Sequence, residues 1–189
     1  MIQHILTKKQ HLITCWSRLA LSLIAITAST LAAHAEGPAA GTVEVKQTVD
    51  TLVGHWVLTG TDMEPGAKVS VPAKLTMDCT PTALRKAVSC HVWVELGSDQ
   101  IEATFLVGYN PDEHVVRWME IASSGEHHDH RGHWNGDAIQ FEPLRYTISG
   151  VKMTEYFTAS FPSPGKTKWK WTVEASNGNQ IVELTGSRS

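Results

Sequence analysis

The sequence predicts an all-β protein: an antiparallel, up-and-down closed β-barrel of about ten strands preceded by a short helix. Three observations carry that expectation. The segments Phe105–Asn110, Val115–Ile121 and Arg131–Glu142 are short strand-like runs, and they break at Asn110-Pro111, Ser123-Ser124-Gly125 and Asn135-Gly136-Asp137, which end antiparallel strands rather than helices. Neighbouring runs are separated by too few residues for βαβ crossovers, so the sheet is antiparallel. An open sheet of that many strands would leave two edges free to pair with other chains, and closure into a barrel removes them. A β-sandwich is the competing architecture, but its long Greek-key connections are missing.

Residues 1–35 read as a signal peptide. Lys8, Lys9 and Arg18 make the positive region, no acid precedes Glu36, Leu19–Ala33 is an apolar and small-residue run, and Ala33-His34-Ala35 is a cleavage signal. The run is about 15 residues where a membrane span needs roughly 20, so no stable span is expected after cleavage. Cys15 precedes the apolar run instead of following it, which argues against lipid attachment there. The expected location is the periplasm or the exterior.

The chain beyond the leader keeps 13 Lys and Arg against 19 Asp and Glu, a net charge of −6 with neutral histidines. No continuous basic surface remains to hold phosphates, and a nucleic-acid role is not expected. Residues 36–41 are expected to form a flexible Gly/Ala/Pro leader. Residues 42–189 make one domain, long enough for its own core. Within it Val45, Val49 and Leu52 share one helical face, which places a helix over Thr42–Leu52. Strands are then expected at about 53–60, 68–78, 88–96, 101–109, 114–121, 129–134, 137–143, 152–161, 167–175 and 180–186. A short helical turn could also fit Pro81–Lys86.

Two cysteines remain after the leader. Cys79 ends the alternating run Val69, Val71, Ala73, Leu75, Met77, and Cys90 opens the run Val92, Val94, Leu96, so both sulfurs fall on the apolar face of adjacent strands. A disulfide is the first expectation. A buried reduced pair and a two-thiolate metal site are the alternatives, though the spacing fits no usual zinc motif.

Leu52-Val-Gly-His-Trp56, Val107-Gly-Tyr-Asn-Pro-Asp112, Arg117-Trp118 and Gly132-His-Trp-Asn-Gly-Asp137 together give the chain, from about Val49 to Gly186, a resemblance. It resembles a bacterial exported family of unknown function with a calycin (lipocalin-like) β-barrel. The resemblance implies that fold and an interior pocket, with Gly54-x-Trp56 plugging the closed end. It implies no particular activity.

Six tryptophans lie beyond the leader. Trp56, Trp93, Trp118, Trp134, Trp169 and Trp171, with Phe157, are the candidates for lining a pocket, and a filled aromatic core is the competing role for each. The densest polar grouping runs from Glu126 to His133. On a strand, His128 and His130 would share one face and His127, Asp129 and His133 the other. Alternate imidazoles stand about 6–7 Å apart at the backbone, close enough to converge on one ion. Zinc, copper, nickel or haem are the groups such a pair could hold. His91 and His114 are candidate third donors that sequence cannot place, and a solvated hairpin tip is the competing reading of the cluster. His55, at the start of the first strand, is expected to be structural.

The sequence carries no nucleophile elbow, zincin motif, phosphate loop or dinucleotide fingerprint. Glu120 with Glu142, or Glu155 with Asp137, could form acid–base pairs only if the strand register brings them together. The functional expectation is therefore a barrel that binds a small apolar molecule. A metal- or haem-binding barrel comes second and an enzyme of the same fold third; ligand and oligomeric state are not legible.

Overall fold

The computed structural model describes residues 42–148 and 150–189. The expected signal peptide and the leader up to Gly41 lie outside the described residues. A single α-helix, α1 (Thr42–Leu52), precedes eleven strands: β1 (Gly54–Met63), β2 (Val71–Thr82), β3 (Ala87–Leu96), β4 (Asp99–Asn110), β5 (Val115–Ala122), β6 (His127–Asn135), β7 (Ala138–Phe141), β8 (Leu144–Ile148), β9 (Val151–Ser163), β10 (Lys166–Ala175) and β11 (Gly178–Arg188). All pairings are antiparallel. Ten strands close a ring in the order β10-β11-β1-β2-β3-β4-β5-β6-β7-β9, which returns to β10, while β8 lies on β9 alone. The expected closed barrel is the observed architecture.

One strand was not anticipated. The run expected over 137–143 ends at Phe141: the Glu142 N–H makes the last bond to β6, donating to the Arg131 carbonyl at 2.7 Å, Pro143 cannot continue the ladder, and β8 follows on the same side of β9. Proline has no N–H to donate, so a strand interior cannot absorb it. The break also inserts one residue: Gln140 pairs with Thr158, but Leu144 pairs with Glu155. Inward side chains consequently switch from Ile139 and Phe141 to Leu144, Tyr146 and Ile148, since strand periodicity is 2. The helical turn allowed at Pro81–Lys86 shrinks to Ala83–Arg85, and all three of its residues hold positive φ (48°, 55° and 63°).

Trp118 anchors the core. Its ring meets those of Phe105, Phe141, Phe157 and Trp169 with centroids 5.3–5.8 Å apart, three of the four edge-to-face, the arrangement favoured by aromatic quadrupoles. Emptying such a position to alanine costs roughly 3–5 kcal/mol. Below this layer α1 closes one end. Val49 and Leu52 are buried, and the Trp56 indole N–H donates to the Leu52 carbonyl at 2.8 Å. The Arg188 guanidinium donates to the Asp50 and Val53 carbonyls at 2.9 Å each and lies 5.5 Å from the Trp56 ring. Gly54 is required beside it, because a Cβ there would collide with the Arg188 side chain and its φ is 137°. The Gly54-x-Trp56 plug anticipated from the sequence thus closes the barrel floor.

Cys79 and Cys90 are register partners on β2 and β3, buried and joined as a disulfide with an S–S length of 2.04 Å. None of the helices among the described residues is long and apolar enough to cross a membrane.

Candidate functional site

Above the Trp118 layer the aromatic filling stops, and the interior opens into a cavity of about 420 Å³. Leu75, Val94, Val182 and Leu184 wall it on the side of β11, β2 and β3. Glu120 of β5, His128 of β6, Tyr146 of β8 and Glu155 of β9 wall the other side. Glu120 and Glu155 occupy inward positions of otherwise apolar rows, Glu120 two residues after Trp118 and Glu155 between Met153 and Phe157 on β9, and His128 shares the inward row of β6 with His130. Strand alternation therefore forces these groups indoors.

The polar wall is tightly coupled. His128 Nδ1 lies 3.1 Å from Glu155 Oε2, and His130 Nε2 lies 3.6 Å from Glu155 Oε1. The His128 ring packs against Tyr146 with centroids 4.6 Å apart. His130, 2% exposed, lies edge-on against the stacked pair Phe141 and Phe157 at 5.7 Å from each, and its Nδ1 has no hydrogen-bond partner among the described residues. Burial pushes the Glu120 carboxyl up to about 7, with the charge on Glu155 acting in the same direction and His128 opposing it. Burial disfavours the charged form of His128, but Glu155, Glu120 and Glu126 outweigh it and hold the ring above the usual histidine range. His130 is held below that range, again chiefly by burial. The Tyr146 hydroxyl is raised by burial and by Glu155. Desolvation and like charge thus keep protons on Glu120 and Tyr146, while the neighbouring carboxylates favour a charged His128.

The sequence candidates separate into five places. Trp171 lines the cavity and stacks on Phe157 at 4.5 Å with an interplanar angle of 8°. Trp118, Trp169 and Phe157 are packed in the layer beneath, and Trp56 in the floor. Trp134 lies against α1, its N–H donating to Thr48 Oγ1 at 3.0 Å. Trp93 stands on the outer surface beside His91, with ring centroids 4.0 Å apart.

The histidine cluster divides as strand alternation predicts. His128 and His130 point inward; His127, Asp129 and His133 point outward. The solvated hairpin tip is therefore corrected for the inward pair, because β6 extends through His127 and carries both side chains into the barrel. Outside, Asp129 pairs with Arg117, and His133 Nδ1 lies 3.1 Å from the His114 carbonyl. His91 faces Glu102 on the outer surface and His55 faces Asp78, so neither His91 nor His114 joins the inward histidines. The carboxylate pairings considered from sequence are also replaced. Glu142 lies outside with Arg131 and His133, whereas Glu155 meets His128 and His130. Tyr146 was missed, and Glu155, considered from the sequence only beside Asp137, was not placed with the histidines. A carboxylate in the apolar phase of Met153, Phe157, Ala159 and Phe161 was the available signal; Tyr146 had none, because the slip at Pro143 hides its phase.

Gly132 completes the local geometry. A Cβ there would run into the Phe141 ring and the Gln140 carbonyl, so glycine lets β7 and its phenylalanine close over β6 beside His130. Compared with known proteins, the chain matches no family model and no curated protein.

Proposed function

We propose that this protein is an exported, calycin-like barrel that binds a small, largely apolar molecule in the open half of its interior. The observation that carries the proposal is the division of the barrel: one half is filled by aromatic side chains and sealed by α1, while the other leaves about 420 Å³ between an aliphatic wall and a polar one. Concave, mostly apolar space with a few convergent polar groups is the usual form of a small-molecule site. The ligand's apolar body would lie against Leu75, Val94, Trp171 and Leu184, and a hydrogen-bonding group would meet Glu120, Tyr146 or His128. Export is supported by the charged and apolar pattern of residues 1–35 and by the Cys79–Cys90 disulfide, which persists in oxidising compartments.

The test is titration with the neutral fluorophore N-phenyl-1-naphthylamine. Saturable binding that quenches tryptophan emission is expected, with the quench lost in Trp171→Phe and the binding lost in Val94→Phe, which fills the cavity. Undiminished binding to Val94→Phe in a folded protein would place the probe elsewhere and end this reading.

A further inference from the structure

A purely apolar pocket has no use for the grouping on its polar wall. His128 and His130 of β6 and Glu155 of β9 each offer one donor atom within 4.8 Å of the others. Glu155 lies between the two rings, 3.1 Å from His128 Nδ1 and 3.6 Å from His130 Nε2. A tetrahedral ion with bonds of about 2.0–2.2 Å holds its donors roughly 3.3 Å apart, and the two separations, one to each oxygen of Glu155, lie close to that value.

His130 supplies the second observation. Nε2 faces Glu155 at 3.6 Å, beyond hydrogen-bond reach, and Nδ1 has no partner among the described residues, although the residue is only 2% exposed. Burying an imidazole among phenylalanines without satisfying its nitrogens is unfavourable, and each such case calls for an explanation. A metal ion on Nε2 would satisfy the nitrogen that faces Glu155 beyond hydrogen-bond reach, with Nδ1 left as the N–H of the ring. Glu155 fits the same account: buried carboxylates are paired or coordinate metals.

We propose that His128, His130 and Glu155 bind one divalent transition-metal ion, of which zinc is the representative, with the remaining coordination position facing the cavity. Two imidazoles and one carboxylate are the donor set of zinc sites that keep a position open. Nitrogen donors favour zinc, copper or nickel over calcium and magnesium, which want oxygen shells. Glu120 and Glu126, both near enough to act on His128 electrostatically, add negative charge around the ion. The open position would admit water or a ligand group with a lone pair. The metal site does not depend on the apolar-ligand reading, since an ion on this wall leaves the aliphatic side untouched.

The experiment is calorimetric titration of chelator-treated protein with zinc at neutral pH. One zinc per chain is expected. His128→Ala and Glu155→Gln should each weaken binding by more than the roughly 10–100-fold that loss of a merely supporting contact costs. The outward double variant His127→Ala, His133→Ala should bind as the wild type does. X-ray absorption of the wild-type zinc complex should show two imidazoles and a carboxylate oxygen, and it decides the matter even where a variant fails to fold. Absence of stoichiometric zinc, loss of binding in the outward variant, or a spectrum with fewer than two imidazoles would each overturn the proposal.

Discussion

Glu155 and His128 stand on strands that share no backbone hydrogen bonds, yet their side chains meet at 3.1 Å inside the barrel. The meeting follows from the break at Pro143. β6 pairs with β7 only over Gly132–Asn135, and β8, shifted by one residue, covers β9 instead of continuing along β6. Imidazole, carboxylate and the Tyr146 ring occupy the place where a ladder would otherwise run. Such a cluster is held by its charge balance, because a buried carboxylate deprived of its partners is costly.

Stability should fall as pH rises through the window set by Glu120. Its folded pKa of about 7 lies above the ordinary 4.5. Below pH 4.5 the group is protonated in both states, and between 4.5 and 7 only the unfolded chain releases its proton. Folding thus loses support across that interval. His128 acts in the same direction, being held above its ordinary 6.5, while His130, held below it, acts in the opposite one. Denaturant titrations from pH 4 to 8 should show Glu120→Gln gaining on the wild type as pH rises; parallel curves would refute the assignment.

Replacing Cys79 or Cys90 with serine should cost roughly 2–5 kcal/mol, although the bond closes a loop of only 11 residues' separation. Serine would also leave a hydroxyl in apolar surroundings. Chemical denaturation gives the difference, and peptide mapping without reductant gives the bond itself.

Arg188→Ala should loosen α1 from the barrel floor. The guanidinium bonds two carbonyls at the end of the helix, a favourable place for a cation, and lies against Trp56. Hydrogen bonds to charged groups are worth about 1.5–3 kcal/mol each, so losing both is expected to cost about 3 kcal/mol, the low end because the Asp50 bond is exposed. Trp56 emission should shift to the red at the same time, as water reaches the indole.

His130→Phe should stabilise the metal-free protein. The exchange keeps the ring among Phe141 and Phe157 and removes an unpartnered buried nitrogen, whose burden is about 1–3 kcal/mol. Zinc should no longer raise the melting temperature of this variant. A destabilised metal-free His130→Phe would show that the imidazole is held by a contact other than metal.

The barrel was legible because its signals are local. Alternation, turn residues and the Gly54-x-Trp56 plug each act within ten residues or so, and the same alternation placed Cys79 beside Cys90 and separated His128 and His130 from His127 and His133. The polar wall was half legible. Two of its histidines share a strand, so their common face could be read directly. Glu155 joins them across a gap in the ladder, and that partnership depends on the one-residue slip at Pro143, a three-dimensional event that no run of alternating residues records. Tryptophan count was a poor guide to the cavity for a related reason: the largest side chains fill space, and the open half is lined mostly by aliphatic residues that looked ordinary.

The interrupted wall between β6 and β8 gives the barrel a weak line. Over His127–His130 the backbone of β6 is paired on the β5 side only, and the opposite side is closed by rings and charges, which can part without breaking a ladder. Amide protons along that side of β6, and along the free side of β8, should exchange with solvent sooner than those of the continuous strands β1 to β4. A breathing slit there would admit a guest from the flank as well as through the rim, and whatever bridges His128, His130 and Glu155 would fasten it shut.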